Sequence, residues 1–321
     1  MLNNSLFYIH ILNLFRKFEE RRIFLILLSV WIIMSIFYPR EFFNTAVLRV
    51  TILAMSSIAV IAVGMTVLLV SGGFDLSVGS VVTLTGVVAA LFIRNGAPWF
   101  IAMPAAVGCG VLVGFLNGLM IAKLKINPFI TTLGMMIFIR GFSTILAGGN
   151  NIPILDSSYN WVGQASIGGI QIPIWVCLFF VILGDFLLRK SRYFRQNYYI
   201  GGNENAAILS GIPVVKIKIL NYMLSGALAA VAGILLSARL GNGSLTAGLN
   251  MEFKAITGAI IGGCALSGGK GTVLGAFFGA MLMASIDSAI NIMPVDSYWQ
   301  EFVTGFVLIL AIIVDSIGKK E

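Results

Sequence analysis

The chain alternates between long apolar runs and short polar breaks. Continuous apolar runs of roughly 17–25 residues, the length that a helix needs to cross a bilayer, recur along the sequence. A transmembrane β-barrel would show alternating segments of about 10 residues, and these are absent. The pattern predicts an all-α integral membrane protein with about ten transmembrane helices, some interrupted by glycine. The predicted spans are 23–38, 47–70, 77–93, 99–122, 128–148, 171–188, 219–238, 252–267, 272–291 and 300–317.

Composition agrees with the apolar pattern. The 321 residues are 58% hydrophobic and only 11% charged, whereas a soluble domain carries roughly 25% charged residues. Glycines repeat every four residues in two places, which lets a neighbouring helix approach closely. The first ladder is Gly110, Gly114 and Gly118, and the second is Gly271, Gly275 and Gly279. We interpret both ladders as packing surfaces, and the three cysteines as small buried side chains.

The distribution of basic residues orients the spans. If the N-terminus is cytoplasmic and each span crosses once, most of the 21 Lys and Arg residues face the cytoplasm, as the positive-inside rule requires. The longest outside loop, 149–170, holds no Lys or Arg. Both termini are therefore expected in the cytoplasm. The predicted organisation is a cytoplasmic segment 1–22 and one transmembrane domain 23–318, with a cytoplasmic loop at about 189–218.

That loop contains signals for a helix of about seven residues. Asn203 fits the N-cap, Glu204 lies in the first turn, and Gly211 and Pro213 follow the predicted end. A helix this short does not persist alone in water, so it needs a surface to dock on. The residues alone leave two surfaces open, the protein's own bundle and a cytosolic partner. The segment comprises Asn203, Glu204, Asn205, Ala206, Ala207, Ile208, Leu209 and Gly211.

A polar break, "SGGFDLSVGS" at 71–80, separates two apolar runs and places Asp75 between them. A charged side chain inside a membrane is costly and needs a partner, a cavity or water. Asp75 is interpreted either as a cap or hinge for the next helix or as part of a polar path, and the two roles are compatible. Ser267-Gly268-Gly269 repeats the Ser71-Gly72-Gly73 pattern, each six residues before a further glycine.

Other polar residues inside apolar runs are further candidates. Arg140 is expected to pair with a carboxylate or with carbonyls at a span end. Asn117, within the first glycine ladder, is expected to hydrogen-bond across helices. Asp287 and Asn291 lie four residues apart and so share a helix face near an outside end.

Several motifs resemble one known family. The loop at 203–211 looks like the coupling helix of ABC-importer permeases, which has a Glu-Ala-Ala-x-x-x-Gly core, although Asn205 replaces the glutamate. "GMT" at 64–66, "SGGFDLSVGS", "INPFITTLGMMIFIRG" from Ile126, "EFKAITGAIIGG" from Glu252 and "SGGKGTVLGAFFGA" from Ser267 are similar, in this order, to permeases of the ribose type. The resemblance covers about residues 45–318.

This resemblance implies a subunit of an ATP-driven importer in the bacterial inner membrane. Its expected partners are a second permease subunit, most simply a second copy of this chain, cytosolic ATP-binding subunits, and a periplasmic or lipid-anchored binding protein that delivers a monosaccharide. Ribose, xylose, arabinose and galactose are the substrates of such permeases. ATP and Mg²⁺ are expected on the partner subunit, and no cofactor on this chain. The expected path or gate residues are Gly72, Gly73, Asp75, Ser77, Asn117, Arg140, Asp287 and Asn291.

The chain itself is not expected to be an enzyme. Gly269-Lys270 resembles part of a phosphate-binding loop, but Gly271 stands where that loop requires Ser or Thr. The alternative function is a self-sufficient secondary sugar transporter or channel, which would be expected to hold an evident midplane site.

Overall fold

Each predicted apolar run lies on a helix. The computed structural model describes residues 19–293, 295–296 and 298–317, so most of the predicted segment 1–22 lies outside the described residues. The helices are α1 (Glu19–Phe37), α2 (Pro39–Phe42), α3 (Thr45–Val70), α4 (Val78–Arg94), α5 (Trp99–Gly118, continued by a π-helical turn Leu119–Lys123), α6 (Pro128–Ala147), α7 (Ser157–Gln164), α8 (Ile172–Lys190), α9 (Arg192–Gly202), α10 (Glu204–Leu209), α11 (Val214–Leu240), α12 (Met251–Ile261), α13 (Val273–Ile292) and α14 (Trp299–Ile317).

The helices differ in whether they can cross a membrane alone. Among the described residues, seven helices are long and apolar enough to do so, and Arg22–Phe37 within α1 and Val78–Arg94 (α4) are shorter apolar stretches. By contrast, α12 has 11 residues and is about 16 Å long, roughly half the thickness of the hydrocarbon core. The predicted span 252–267 is therefore wrong at its end, because the helix stops at Ile261 and Gly263 adopts a φ of 94°.

The core lies along α3, α4 and α11, and α11 packs against each of the other two. Every residue of α3 from Met55 to Val70 is buried, as is every residue of α4 from Val78 to Ala90. The outer helices α8 and α14 instead expose large apolar side chains, such as Phe179 and Phe302. Apolar side chains on the outside of a bundle are what a lipid environment favours.

The first glycine ladder packs as the sequence predicts, whereas the second does so only in part, because Gly271 precedes α13 and has a φ of 144°. Gly114 and Gly118 lie against the backbone of α11 at Tyr222 and Ile219, and a Cβ at either glycine would overlap that backbone. In the second ladder, Gly279 lies against the backbone of α12 at Gly258, and Gly275 lies against Gly262 just beyond the end of that helix. The ladders thus bring α5 onto α11 and α13 onto α12.

A non-helical segment between α11 and α12 runs along α4. Gly243 lies against Gly86 at the middle of α4, and Gly248 lies against Gly79 near its start. The amide of Gly248 donates to Thr83 Oγ1 at 3.3 Å. Irregular backbone at membrane depth is tolerated where protein buries it, and both Gly243 and Gly248 are buried.

The loop between α6 and α8 closes one end of the bundle. Its strand β1 (Ile152–Pro153) pairs antiparallel with β4 (Asn242–Gly243), and β2 (Ser166–Ile167) forms a hairpin with β3 (Ile170–Gln171). The α7 side chain of Tyr159 is fully buried and bonds Ser237 Oγ at 2.7 Å. Burial raises the pKa of the Tyr159 phenol to about 12, so the hydroxyl stays neutral. Helix α8 separates this loop from α9 and α10 at the other end.

Candidate functional site

The short helix α10 forms where the sequence predicts it, with six residues instead of about seven. The Asn203 side chain accepts a hydrogen bond from the amide of Ala206 at 3.0 Å, which confirms its place as the N-cap. The Asn203 amide donates to the carbonyl of Tyr199 at 3.1 Å, so the cap also belongs to the end of α9. Gly211 follows the helix with a φ of 80°, a conformation that glycine adopts without strain.

Helix α10 has one face on the protein and one face outward. Ala207 is buried against Ile200 of α9 and against Val214 and Ile217 of α11. Leu209, in contrast, is 89% exposed, and Ile208 is 54% exposed. Helix α10 packs on its own bundle through one face and presents apolar side chains outward on the other. The structure is therefore compatible with both docking surfaces that the sequence suggested.

An ion pair joins α10 to α11, and basic side chains lie next to α10. Glu204 accepts a charged hydrogen bond from Lys218 Nζ of α11 at 2.6 Å. Asn205, at the place of the family's glutamate, is exposed. A cavity of about 790 Å³ opens between α9 and α10, with Arg192 and Arg195 in its wall. This end of the bundle is thus apolar at Leu209 and basic beside it.

The break at 71–80 forms a turn that buries a polar cluster. Asp75 is 1% exposed, and its Oδ1 accepts from the amide of Ser77 at 2.8 Å and from Ser77 Oγ at 2.6 Å. Asn117 of α5 donates to Ser77 Oγ at 2.9 Å and reaches both carboxylate oxygens at 3.4 and 3.5 Å. Asp75 therefore holds Ser77, which is the N-cap residue of α4, and does not occupy the N-cap itself. Asn117 makes the predicted bond across helices.

The glycines of this turn are set by its geometry. Gly72 has a φ of 78°, and the amide of Gly73 donates to the carbonyl of Leu68 at 2.9 Å. The hydroxyl of Tyr222 lies over Gly73 and donates to the Phe74 carbonyl at 3.1 Å. In this conformation the turn encloses Asp75. That these residues line a translocation path remains a prediction.

Arg140 pairs with a carboxylate, one of its two expected partners. Its Nη2 lies 3.6 Å from Glu252 Oε1, and Glu252 is 1% exposed. Glu252 is not among the predicted site residues, although it is an acidic residue inside a predicted span. A Cβ on Gly79 would overlap the second oxygen of Glu252, so the start of α4 and the start of α12 depend on one another.

Asp287 and Asn291 are not joined in one site. Asp287 forms an ion pair with Lys254 of α12 at 2.6 Å. Asn291 is exposed and accepts from Gln300 Nε2 of α14 at 2.7 Å. Their shared helix face thus has two separate sets of contacts, and their predicted contact with substrate is untested.

Long apolar helices, discontinuous segments inside the bundle and a docked surface helix define a multi-pass α-helical membrane protein. Residues 48–312 match the family model described as "Branched-chain amino acid transport system / permease component", and the chain belongs to that family. It is a multi-pass protein of the bacterial inner membrane.

Curated relatives cover most of this chain. The ribose import permease protein of Haemophilus influenzae is 35% identical over 308 residues, which are 94% of this chain and 95% of that protein. The ribose import permease protein of Bacillus subtilis is 38% identical over 258 residues, 79% of this chain and 80% of the relative. The L-arabinose transport system permease protein of Escherichia coli K12 is 36% identical over 268 residues, covering 84% and 82%. No solved structure matches the chain.

Proposed function

We propose that this chain is the permease subunit of an ATP-driven importer and forms the translocation path for a monosaccharide of the ribose and arabinose class. The observation that carries the proposal is the similarity, over nearly the full length of both proteins, to permeases named for ribose and arabinose import. The family description names amino acids, but all the relatives described above are named for pentoses.

In this proposal, ATP hydrolysis on a partner subunit moves α10. A cytosolic ATP-binding subunit holds ATP and Mg²⁺ and contacts Ile208 and Leu209, whose exposed apolar surface is otherwise unfavourable in water. Because Ala207 is packed between α9 and α11 and Glu204 is paired with Lys218, a movement of α10 displaces both neighbouring helices. The basic side chains of Arg192 and Arg195 favour an acidic surface on that partner.

Sugar is delivered at the other end of the bundle by a separate binding protein. The loop 149–170 lies there and carries no Lys or Arg. Affinity for the sugar resides mainly in the binding protein, so the permease needs only a weak polar path. Two permease subunits, most simply two copies of this chain, form the complete path.

Co-purification with the ATP-binding subunit tests the proposal. Leu209→Asp is expected to weaken the association about tenfold or more, because it places a charge in the centre of the apolar contact. Leu155→Asp is the matched control, since Leu155 is 91% exposed in the loop at the opposite end. The control is expected to keep normal association, and both variants are expected to fold because neither side chain is buried.

Transport is measured with radiolabelled ribose and arabinose in proteoliposomes. ATP-dependent uptake that requires the ATP-binding subunit and the binding protein is the expected result. Uptake by this chain alone, driven by an ion gradient, would show a secondary transporter and overturn the proposal.

A further inference from the structure

Two glycine turns that share a sequence pattern lie against each other. Ser71–Gly73 follows α3, and Ser267–Gly269 lies between α12 and α13. In the first turn Gly72 has a φ of 78°, and in the second Gly268 and Gly269 have φ values of 90° and 77°. The amide of Gly269 donates to the carbonyl of Val70 at 2.9 Å. The turns are therefore joined through their backbones.

Gly201 of α9 lies at this junction. A Cβ on Gly201 would overlap both the Val70 carbonyl oxygen and the Gly269 amide nitrogen. A Cβ on Gly268 would stand 2.8 Å from the Cα of Gly201 and 3.0 Å from the Cα of Gly72. Three backbone segments thus meet without intervening side chains. Such close-packed contacts leave no space to absorb a displacement.

Two further bonds fix α9 near the junction. Tyr198 Oη donates to the carbonyl of Gly271 at 2.8 Å, just beyond the second turn. Asn197 is fully buried, and its Oδ1 accepts from Asn221 Nδ2 of α11 at 2.8 Å. Asn203 directly follows the last residue of α9 and is the N-cap of α10, so the outward-facing helix begins only three residues after Gly201.

Each turn leads directly into a helix of the bundle. The first continues through Asp75 to the start of α4. The second continues to Thr272, whose side chain caps α13 by accepting from the amide of Gly275 at 3.1 Å. A displacement of α9 at Gly201 would therefore reach the starts of α4 and α13 together.

We propose that Gly201 is a positioning residue that passes the motion of α10 to both glycine turns and so couples ATP hydrolysis to movement of α4 and α13. This inference rests on the proposed function. It assigns a transmitting role to a backbone contact, not to the side chains of α10 that meet the partner.

Gly201→Ala and Gly202→Ala form a matched pair for the test. A Cβ on Gly202 would meet no atom within 4 Å, so the two variants add the same methyl group at neighbouring positions of one helix end. Each full chain is assembled with its ATP-binding subunit and binding protein in proteoliposomes. The readout is radiolabelled ribose or arabinose taken up per ATP hydrolysed.

Gly201→Ala is expected to lower this ratio about tenfold while association with the ATP-binding subunit is retained, in the range by which single residues alter coupling between sites. Gly202→Ala is expected to keep the wild-type ratio. Tyr198→Phe removes the bond to Gly271 at nearly constant volume and is expected to lower the ratio about twofold. If Gly201→Ala does not fold, the ratio measured for Tyr198→Phe tests the transmitting role instead.

The outcomes separate the inference from the function beneath it. A wild-type ratio in Gly201→Ala, or in Tyr198→Phe when Gly201→Ala does not fold, overturns the transmitting role. Loss of association in Gly201→Ala also overturns it, because Gly201 would then shape the docking surface. Wild-type protein that neither associates with an ATP-binding subunit nor takes up sugar with ATP refutes the proposed function instead.

Discussion

The turn around Asp75 and the helix around Leu209 place side chains in opposite and equally unusual environments. Asp75 is a carboxylate with 1% exposure inside an apolar bundle, and Leu209 is an apolar side chain with 89% exposure at its end. The free energy of transfer to or from water disfavours both. The carboxylate is stabilised by donors within this chain. Leu209 projects outward, and we propose that a partner covers it.

We expect residues around Asp75 to be required for the stability of this chain, and the exposed residues of α10 to be required for contact with a partner. Asp75 is held by Ser77 and Asn117, so its environment is complete within this chain. Ile208 and Leu209 are exposed in this chain, and under the proposed function the ATP-binding subunit covers them. Substitutions at the turn should therefore change the stability of the chain itself, and substitutions on the outer face of α10 should change association.

The largest expected effect is that of Asp75→Ala. It leaves the buried amide of Ser77 and the amide group of Asn117 without this acceptor. An unmade buried hydrogen bond costs about 1–3 kcal/mol. The free energy of unfolding in detergent is expected to fall by about 2 kcal/mol, as measured by thermal or denaturant unfolding, while the exposed surface of α10 is unchanged.

Asp75→Asn is the matched variant, because asparagine keeps an oxygen that accepts from Ser77 and removes the charge. Stability close to wild type is expected. Transport retained in Asn and lost in Ala would assign Asp75 to capping. Transport lost in both, with a folded and associated protein, would place the carboxylate in the path.

Much of the fold follows from local signals. The helix boundaries at Val70, Pro128 and Ile172 are close to the predicted ones, because a glycine or a proline lies within two residues of each boundary. The cap at Asn203 was predictable for a related reason, since a capping bond involves residues only three apart. The glycine spacing predicts that a helix packs closely on each ladder, but it does not indicate which helix that is.

The rest depends on contacts between distant parts of the chain. The partner of Arg140 is Glu252, and no local pattern connects residues so far apart. The end of α12 at Ile261 was missed because residues 262–267 are nearly as apolar as the helix, and what stops the helix is a turn at Gly263. The segment beside α4 was missed because its burial comes from Gly79 and Gly86 on another helix.

A smaller effect is expected for Asn203→Ala at α10. Loss of an N-cap destabilises a helix by about 1 kcal/mol, and a six-residue helix is only marginally stable to begin with. Faster hydrogen exchange of the α10 amides and about fivefold weaker association with the ATP-binding subunit are expected. Asn205→Ala is the control for exchange, because this exposed amide lies two residues away and does not cap the helix. Equal exchange in the two variants would show that the cap does not hold α10.

The smallest effect is expected for Glu204→Gln. Glu204 is half exposed, and its pair with Lys218 belongs to a class worth about 0.2–1 kcal/mol that salt weakens. A slight loss of association at low salt is expected, and none at about 1 M salt. Lys218→Gln should give the same loss, and the double variant no more than either single one. A large loss with Glu204→Gln alone would mean that its carboxylate meets the partner and replaces the glutamate absent at position 205.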